Sequence, residues 1–160
     1  MIPATPEVIG EILQQRIFPR IFAQLPSENQ RSAGICVIYH RASDGSYSLL
    51  HRIQVGSVAR AKLKNIAEAA EEQALRLTKF PGHFSSCESR NPEEHKWSGA
   101  IRGVNHIYSY YGSTEEANEA AMLLLASWFK DLPAGMDRRI AHTSSNAIYS
   151  KLLEERPSAS

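Results

Sequence analysis

SVARAKLKNIAEAAEEQALRLTK, residues 57–79, is the stretch whose reading decides the fold. Within it Ala59, Leu63, Ile66, Ala67, Ala70, Ala74 and Leu77 recur at steps of three and four, the period that lays an apolar stripe along one side of an α-helix. The intervening Arg60, Lys62, Lys64, Glu68, Glu71, Glu72 and Arg76 carry both signs of charge and are read as facing water. Such a helix has to lie on something. Four of the seven stripe residues are alanine, so it can sit close to a flat surface, and the flanking sequence supplies strands to make one.

Upstream, Gly34–Arg41 (GICVIYHR) is β-branched and aromatic without alternation, as in a strand covered on both faces. Asp44-Gly45 tolerates the positive φ of a type I′ turn, and Tyr47–Ile53 returns to complete a hairpin. That turn sets His40 opposite Leu49 and His51 opposite Ile38. Cys36, Ile38, His40, Tyr47, Leu49, His51 and Ile53 then share one face. Earlier still, Thr5-Pro6-Glu7 reads as N-cap, first-turn proline and first-turn acid. A helix is predicted over residues 6–24, with Ile9, Ile12, Leu13, Ile17, Ile21 and Leu25 on its inner side and Pro19 bending or breaking it.

Downstream, Phe80-Pro81-Gly82 stops the long helix, and residues 83–88 are read as a short edge strand. A polar loop, SRNPEEHK (89–96), leads to a second hairpin, Trp97–Gly103 and His106–Tyr111, turning near Val104-Asn105. Ser113-Thr114-Glu115-Glu116 reads as a capping box for a helix with Ala117, Ala120, Ala121, Leu124, Leu125 and Trp128 inward. One more helix is expected over residues 137–155, followed by a fraying tail, RPSAS. The fold expected is α+β, a single domain over 1–160 with an antiparallel sheet of about five strands and packed helices.

The chain has 160 residues, 42% hydrophobic and 22% charged, enough for one core. A net charge of +1 with scattered basic residues disfavours nucleic acid as a partner. Without an apolar run of membrane-spanning length or the regions of a signal peptide, a cytoplasmic protein with no membrane association is expected. Cys36 and Cys87 are read as reduced thiols in strands, since neither belongs to a CxxC pair.

The strand and turn ending in Asp44-x-Ser46, the helix opening Val58-Ala59-Arg60-Ala61-Lys62, the stretch Ser98-Gly99-Ala100-Ile101, and Tyr110-Tyr111-Gly112 before an acid-rich helix together resemble the GlcG/HbpS family. About 90 of the 160 residues are covered. The resemblance implies a profilin-like sheet and a haem ligand, and some members of the family are described as haem-degrading. Asn65 stands where the family helix frequently has a threonine implicated in haem contact.

His40 and His51 are the candidate metal or haem ligands, because imidazole is the commonest nitrogen ligand near neutral pH and both point to one face. The bland alternative is a pair of hydrogen-bonded, inert histidines. His83, His95, His106 and His142 lack zinc-ligand spacing, so no metal site is assigned. Arg52, Lys62 and Arg102 are the candidate cationic rim for carboxylates such as propionates. These residues imply a small-molecule binding protein, possible ligands being haem or a similar planar carboxylated molecule held at a subunit interface. A ligand-free scaffold subunit and a weak haem-degrading enzyme are the alternatives. If the helices opening at Ser57 and Thr114 lie on one sheet face, either Tyr47, Leu49 and Ile53 or Tyr39 and Leu50 stay uncovered. A homo-oligomer is the partner expected from that patch.

Overall fold

β1 (Gly34–Arg41) is the hub of the molecule because both of its faces are apolar and both find cover. The computed structural model describes residues 4–155, so the tail 156–160 lies outside the described residues. β1 pairs antiparallel with β2 (Tyr47–Val55) on one side and with β4 (His106–Tyr111) on the other, and β3 (Ala100–Arg102) closes the order β2-β1-β4-β3. The fold is α+β with a four-stranded antiparallel sheet, one strand fewer than the sequence reading. Residues 83–88 make only an isolated bridge from Ser85 to Ile101. Ser85 and Glu88 form a capping box there, which satisfies the local N–H groups and coils the chain into a 3₁₀ turn at Ser86–Ser89 instead of a strand.

The long helix forms as α3 (Arg60–Lys79) and lies on the face carrying Ile35, Val37, Tyr39, Ala100 and Ile107. Its alanines meet the sheet directly, Ala70 and Ala74 being fully buried. Two polar residues are buried with them. Gln73 donates to Ser109 Oγ and to the Tyr110 carbonyl, each at 3.0 Å. Arg76, read from sequence as facing water, is drawn inward by Ser89 Oγ, the carbonyls of Ser86 and Trp97, and Glu72.

The opposite face is covered by the N-terminal helix, by α4 (Glu115–Trp128) and by the C-terminal helices. α1 (Pro6–Ile12) passes through a π-helical turn at Leu13–Ile17 into α2 (Phe18–Phe22), so Pro19 widens the helix instead of breaking it. Ile9, Leu13, Ile17 and Ile21 are buried, as their spacing predicts. The single helix expected over 137–155 is two, α5 (Met136–Thr143) and α6 (Ala147–Glu154). Ser145 takes a left-handed φ of 54° between them, and Asn146 caps α6 by accepting from the Tyr149 amide.

Two further expectations change. α3 and α4 cover opposite faces of the sheet, so Tyr39 and Ile53 are buried and no whole sheet face stands open. The register shifts between Ile38 and Tyr39: His51 pairs with Ile38 as predicted, but Leu49 pairs with Tyr39 and His40 with Ser48. The bulge at Leu50 moves Tyr47 and Leu49 onto the α3 side. α3 packs over β1, β3 and β4 but scarcely over β2. Leu49 on β2 accordingly remains 47% exposed.

Candidate functional site

The offset of α3 from β2 leaves a groove of about 570 Å³. Its apolar part is Ile35 from β1 with Leu63 and Ala67 from α3, and its polar rim holds Arg52 and Gln54 from β2 with Arg60, Lys64, Glu68 and Glu71 from α3. The size falls within the roughly 300–1,000 Å³ of small-molecule sites. Three cations face two acids, so the groove favours an anion by charge. Arg52 is already engaged by Glu71, whereas Lys64 lies 4.0 Å from Glu68 with 86% of its side chain exposed. At the same end α3 starts without a side-chain cap, Ala59 having none to offer, and without an acid in its first turn. Its first amides are thus also directed at any anion placed there.

The residues singled out from sequence do not converge. Arg52 lines the groove; Lys62 and Asn65 are exposed on α3 outside its lining. Arg102 lies at the far end of α3, about 25 Å away along a helix rising 1.5 Å per residue. There its guanidinium donates to the carbonyls of His83, Leu77 and Phe80 and to Tyr47 Oη. It stacks over the Tyr47 ring with its central carbon 5.8 Å from the centroid. Arg102 is a structural clamp on the C-terminal end of α3 and no part of a rim with Arg52.

His40 and His51 share the other face of the sheet, away from the groove. His40 Nδ1 lies 3.4 Å from His106 Nε2, and His106 Nδ1 lies 3.2 Å from Asp131 Oδ2. Asp131 also accepts from Tyr108 Oη at 2.9 Å and from the Asn105 amide at 2.9 Å. His51 has its pKa lowered by burial and by the neighbouring His106, against an opposing pull from Glu7. Sequence spacing could not find His106 and Asp131, since they meet His40 only through the β1–β4 pairing. Among the described residues no three His, Cys, Asp or Glu side chains are grouped to hold a metal ion.

A second polar cluster surrounds Glu119 of α4, which is 1% exposed and accepts from Ser85, Ser144 and Asn146. Burial raises its pKa despite those donors. Cys87, in the Ser86–Ser89 turn and not in a strand, sits beside this cluster with its thiol pKa raised by burial and by Glu119. A raised thiol pKa is the reverse of what a nucleophile needs. Cys36 is buried in β1, and both cysteines are free.

Comparison with protein-family models, with curated proteins and with solved structures found no match. No helix among the described residues is long and apolar enough to cross a membrane.

Proposed function

We propose that this chain binds a planar, carboxylated small molecule in the groove between α3 and β2. The observation that supports the reading is the juxtaposition of Arg52, Arg60 and Lys64 with the apolar surface of Ile35, Leu63 and Ala67 in one cavity of about 570 Å³. A flat apolar body covers the latter while carboxylates reach the former, and guanidinium groups bind carboxylates through paired hydrogen bonds. The sequence resemblance to the GlcG/HbpS family points to the same class of ligand against the same helix.

Haem fits this groove in part. Its propionates have partners, but the lining contains no histidine, cysteine or methionine to ligate iron. His40 and His51 lie on the other face. Recognition in the groove therefore rests on shape and carboxylates, with no contribution from the metal.

Titration with hemin and with metal-free protoporphyrin, followed by tryptophan quenching and absorbance, tests the reading. Both porphyrins are expected to saturate at one per chain with similar affinity. His40→Ala and His51→Ala should leave both unchanged, while Arg52→Glu weakens both about tenfold. Failure of either porphyrin to saturate, or loss of hemin binding alone in the histidine variants, overturns this assignment.

A further inference from the structure

Four residues at steps of four, Arg60, Lys64, Glu68 and Glu72, form one continuous ridge along α3. The ridge has two positive residues in its N-terminal half and two negative ones in its C-terminal half. This order is unfavourable for a lone helix. Cations crowd the positive end of the macrodipole, joined there by Lys62, and Lys64 precedes Glu68, the poorer orientation for an i,i+4 pair. That pair is 4.0 Å apart, with 86% and 61% of the two side chains exposed, so little is recovered within the helix.

We infer that the ridge is a self-complementary contact, and that two copies of this chain associate through α3 packed antiparallel on α3 about a two-fold axis at Ile66. When two identical helices run antiparallel, residues equidistant from the axis oppose one another. Lys64 and Glu68 are both two positions from Ile66, and Arg60 and Glu72 are both six positions from it. One axis therefore sets both kinds of pair opposite one another, twice each, Lys64–Glu68 being the stronger because Glu72 is also bound to Arg76 within its own helix, and brings acids of one copy to the uncompensated positive end of the other helix. Ala61 and Asn65, exposed and short beside the ridge, let the helices approach. Arg52 and Gln54 on the β2 rim of the groove and Ile35 in its apolar part are not consumed by the contact, whereas Arg60 and Lys64, which also line the groove, are shared with it. The grooves then flank the two-fold axis, which places the ligand of the proposed function beside a subunit interface, although the dimer stands on the ridge and not on that ligand.

Light scattering after size exclusion, on the full chain without ligand, reads the dimer independently of any ligand result. At low ionic strength and up to about 100 µM, the range for a small polar interface, a mass of twice 17.8 kDa is expected, falling toward 17.8 kDa as salt screens the pairs. Lys64→Glu and Glu68→Lys should each weaken association about tenfold or more, and the double variant Lys64→Glu/Glu68→Lys should restore it. Circular dichroism on all four proteins separates loss of association from loss of fold, the substitutions being at exposed positions. A wild type that stays monomeric, single variants that dimerise as well as wild type, or a folded double variant that stays monomeric would each overturn the inference.

Discussion

His106 Nδ1 lies 3.2 Å from Asp131 Oδ2, with the two side chains 3% and 5% exposed. The pair joins the start of β4 to the end of α4, and the same carboxylate holds the amide of Asn105 in the β3–β4 turn. A Cβ at Gly103 would collide with Asp131, so the turn is seated directly on this side chain. Burial pushes the Asp131 pKa up, but the hydrogen bonds from His106, Asn105 and Tyr108 outweigh it and hold it below its ordinary value of 3.8.

Asp131→Asn should therefore cost about 1–3 kcal/mol at pH 7, the range for stranding buried donors. The sign of its pH dependence follows from the lowered pKa. A carboxylate with a depressed folded pKa contributes stability in full above its unfolded value and loses it as pH falls through the folded one. Urea unfolding of both proteins at pH 7 and at successively lower pH should show the difference shrinking below about pH 3.8. A difference that stays constant into acid would show that the ionised carboxylate is not what holds the turn.

Glu119 behaves in the opposite sense. Burial raises its folded pKa above the ordinary 4.5, so the folded state holds its proton longer than the unfolded chain. Stability from this group is greatest below pH 4.5 and declines as pH rises through the folded pKa. Glu119→Gln removes that decline while keeping a polar group among Ser85, Ser144 and Asn146, so relative to wild type it should gain stability from pH 4.5 upward. Glu119→Ala leaves those partners unsatisfied and should lose about 2–4 kcal/mol near pH 4, a loss that shrinks as pH rises because alanine, like glutamine, removes the group whose contribution declines. Thermal melts of the three proteins from pH 4 to 8 compare the slopes; parallel curves for wild type and Glu119→Gln would contradict the raised pKa.

Arg102→Ala should lower stability by about 2–3 kcal/mol, because three carbonyls at the end of α3 and the Tyr47 hydroxyl lose a charged donor. Arg102→Lys should recover less than half of this, since an ammonium cannot span that fork of acceptors. Porphyrin binding should survive Arg102→Ala at temperatures where the protein is folded. A variant that binds poorly while remaining folded would return Arg102 to the ligand site.

What the sequence disclosed was whatever a local rule governs. The α3 stripe, the N-terminal helix, both hairpins and α4 each follow from residues a few positions apart, and each forms, although α4 is capped by Thr114 through the Ala117 amide instead of by a Ser113–Glu116 box and its Trp128 faces outward. The edge strand at 83–88 failed because a capping box only four residues long outcompeted it. Arg76 and Gln73 look like surface residues in the helical period, and only the loop at 86–97 and, on β4, the Ser109 hydroxyl and Tyr110 carbonyl, which supply their acceptors, explain their burial. The bulge at Leu50 reversed the facing of Tyr47 and Leu49, a consequence of period two: one extra residue exchanges the faces. Of the three cations that line the groove, the sequence pattern singles out Arg52, whereas Arg60 and Lys64 look like solvent-facing charges. Their place beside β2 depends on where α3 lies across the sheet, which no local pattern encodes.

Glu71 lines the groove and engages Arg52, so it competes with any anionic ligand for that guanidinium. Replacing it with glutamine removes one negative charge from the groove and frees Arg52. The expected result is tighter porphyrin binding, by about three- to tenfold at low salt, the scale of one partly exposed charge pair. The gain should shrink as ionic strength rises, because screening weakens the attraction of Arg52 for a carboxylate. Arg52→Ala should instead weaken binding, and adding Glu71→Gln to it should recover only the part due to the removed negative charge. Glu71 is not in the Arg60, Lys64, Glu68, Glu72 ridge, so the change leaves association untouched and the binding isotherm reports on the groove alone. Unchanged or weaker porphyrin binding in Glu71→Gln at low salt would mean that carboxylates do not reach Arg52, and would move the ligand away from β2.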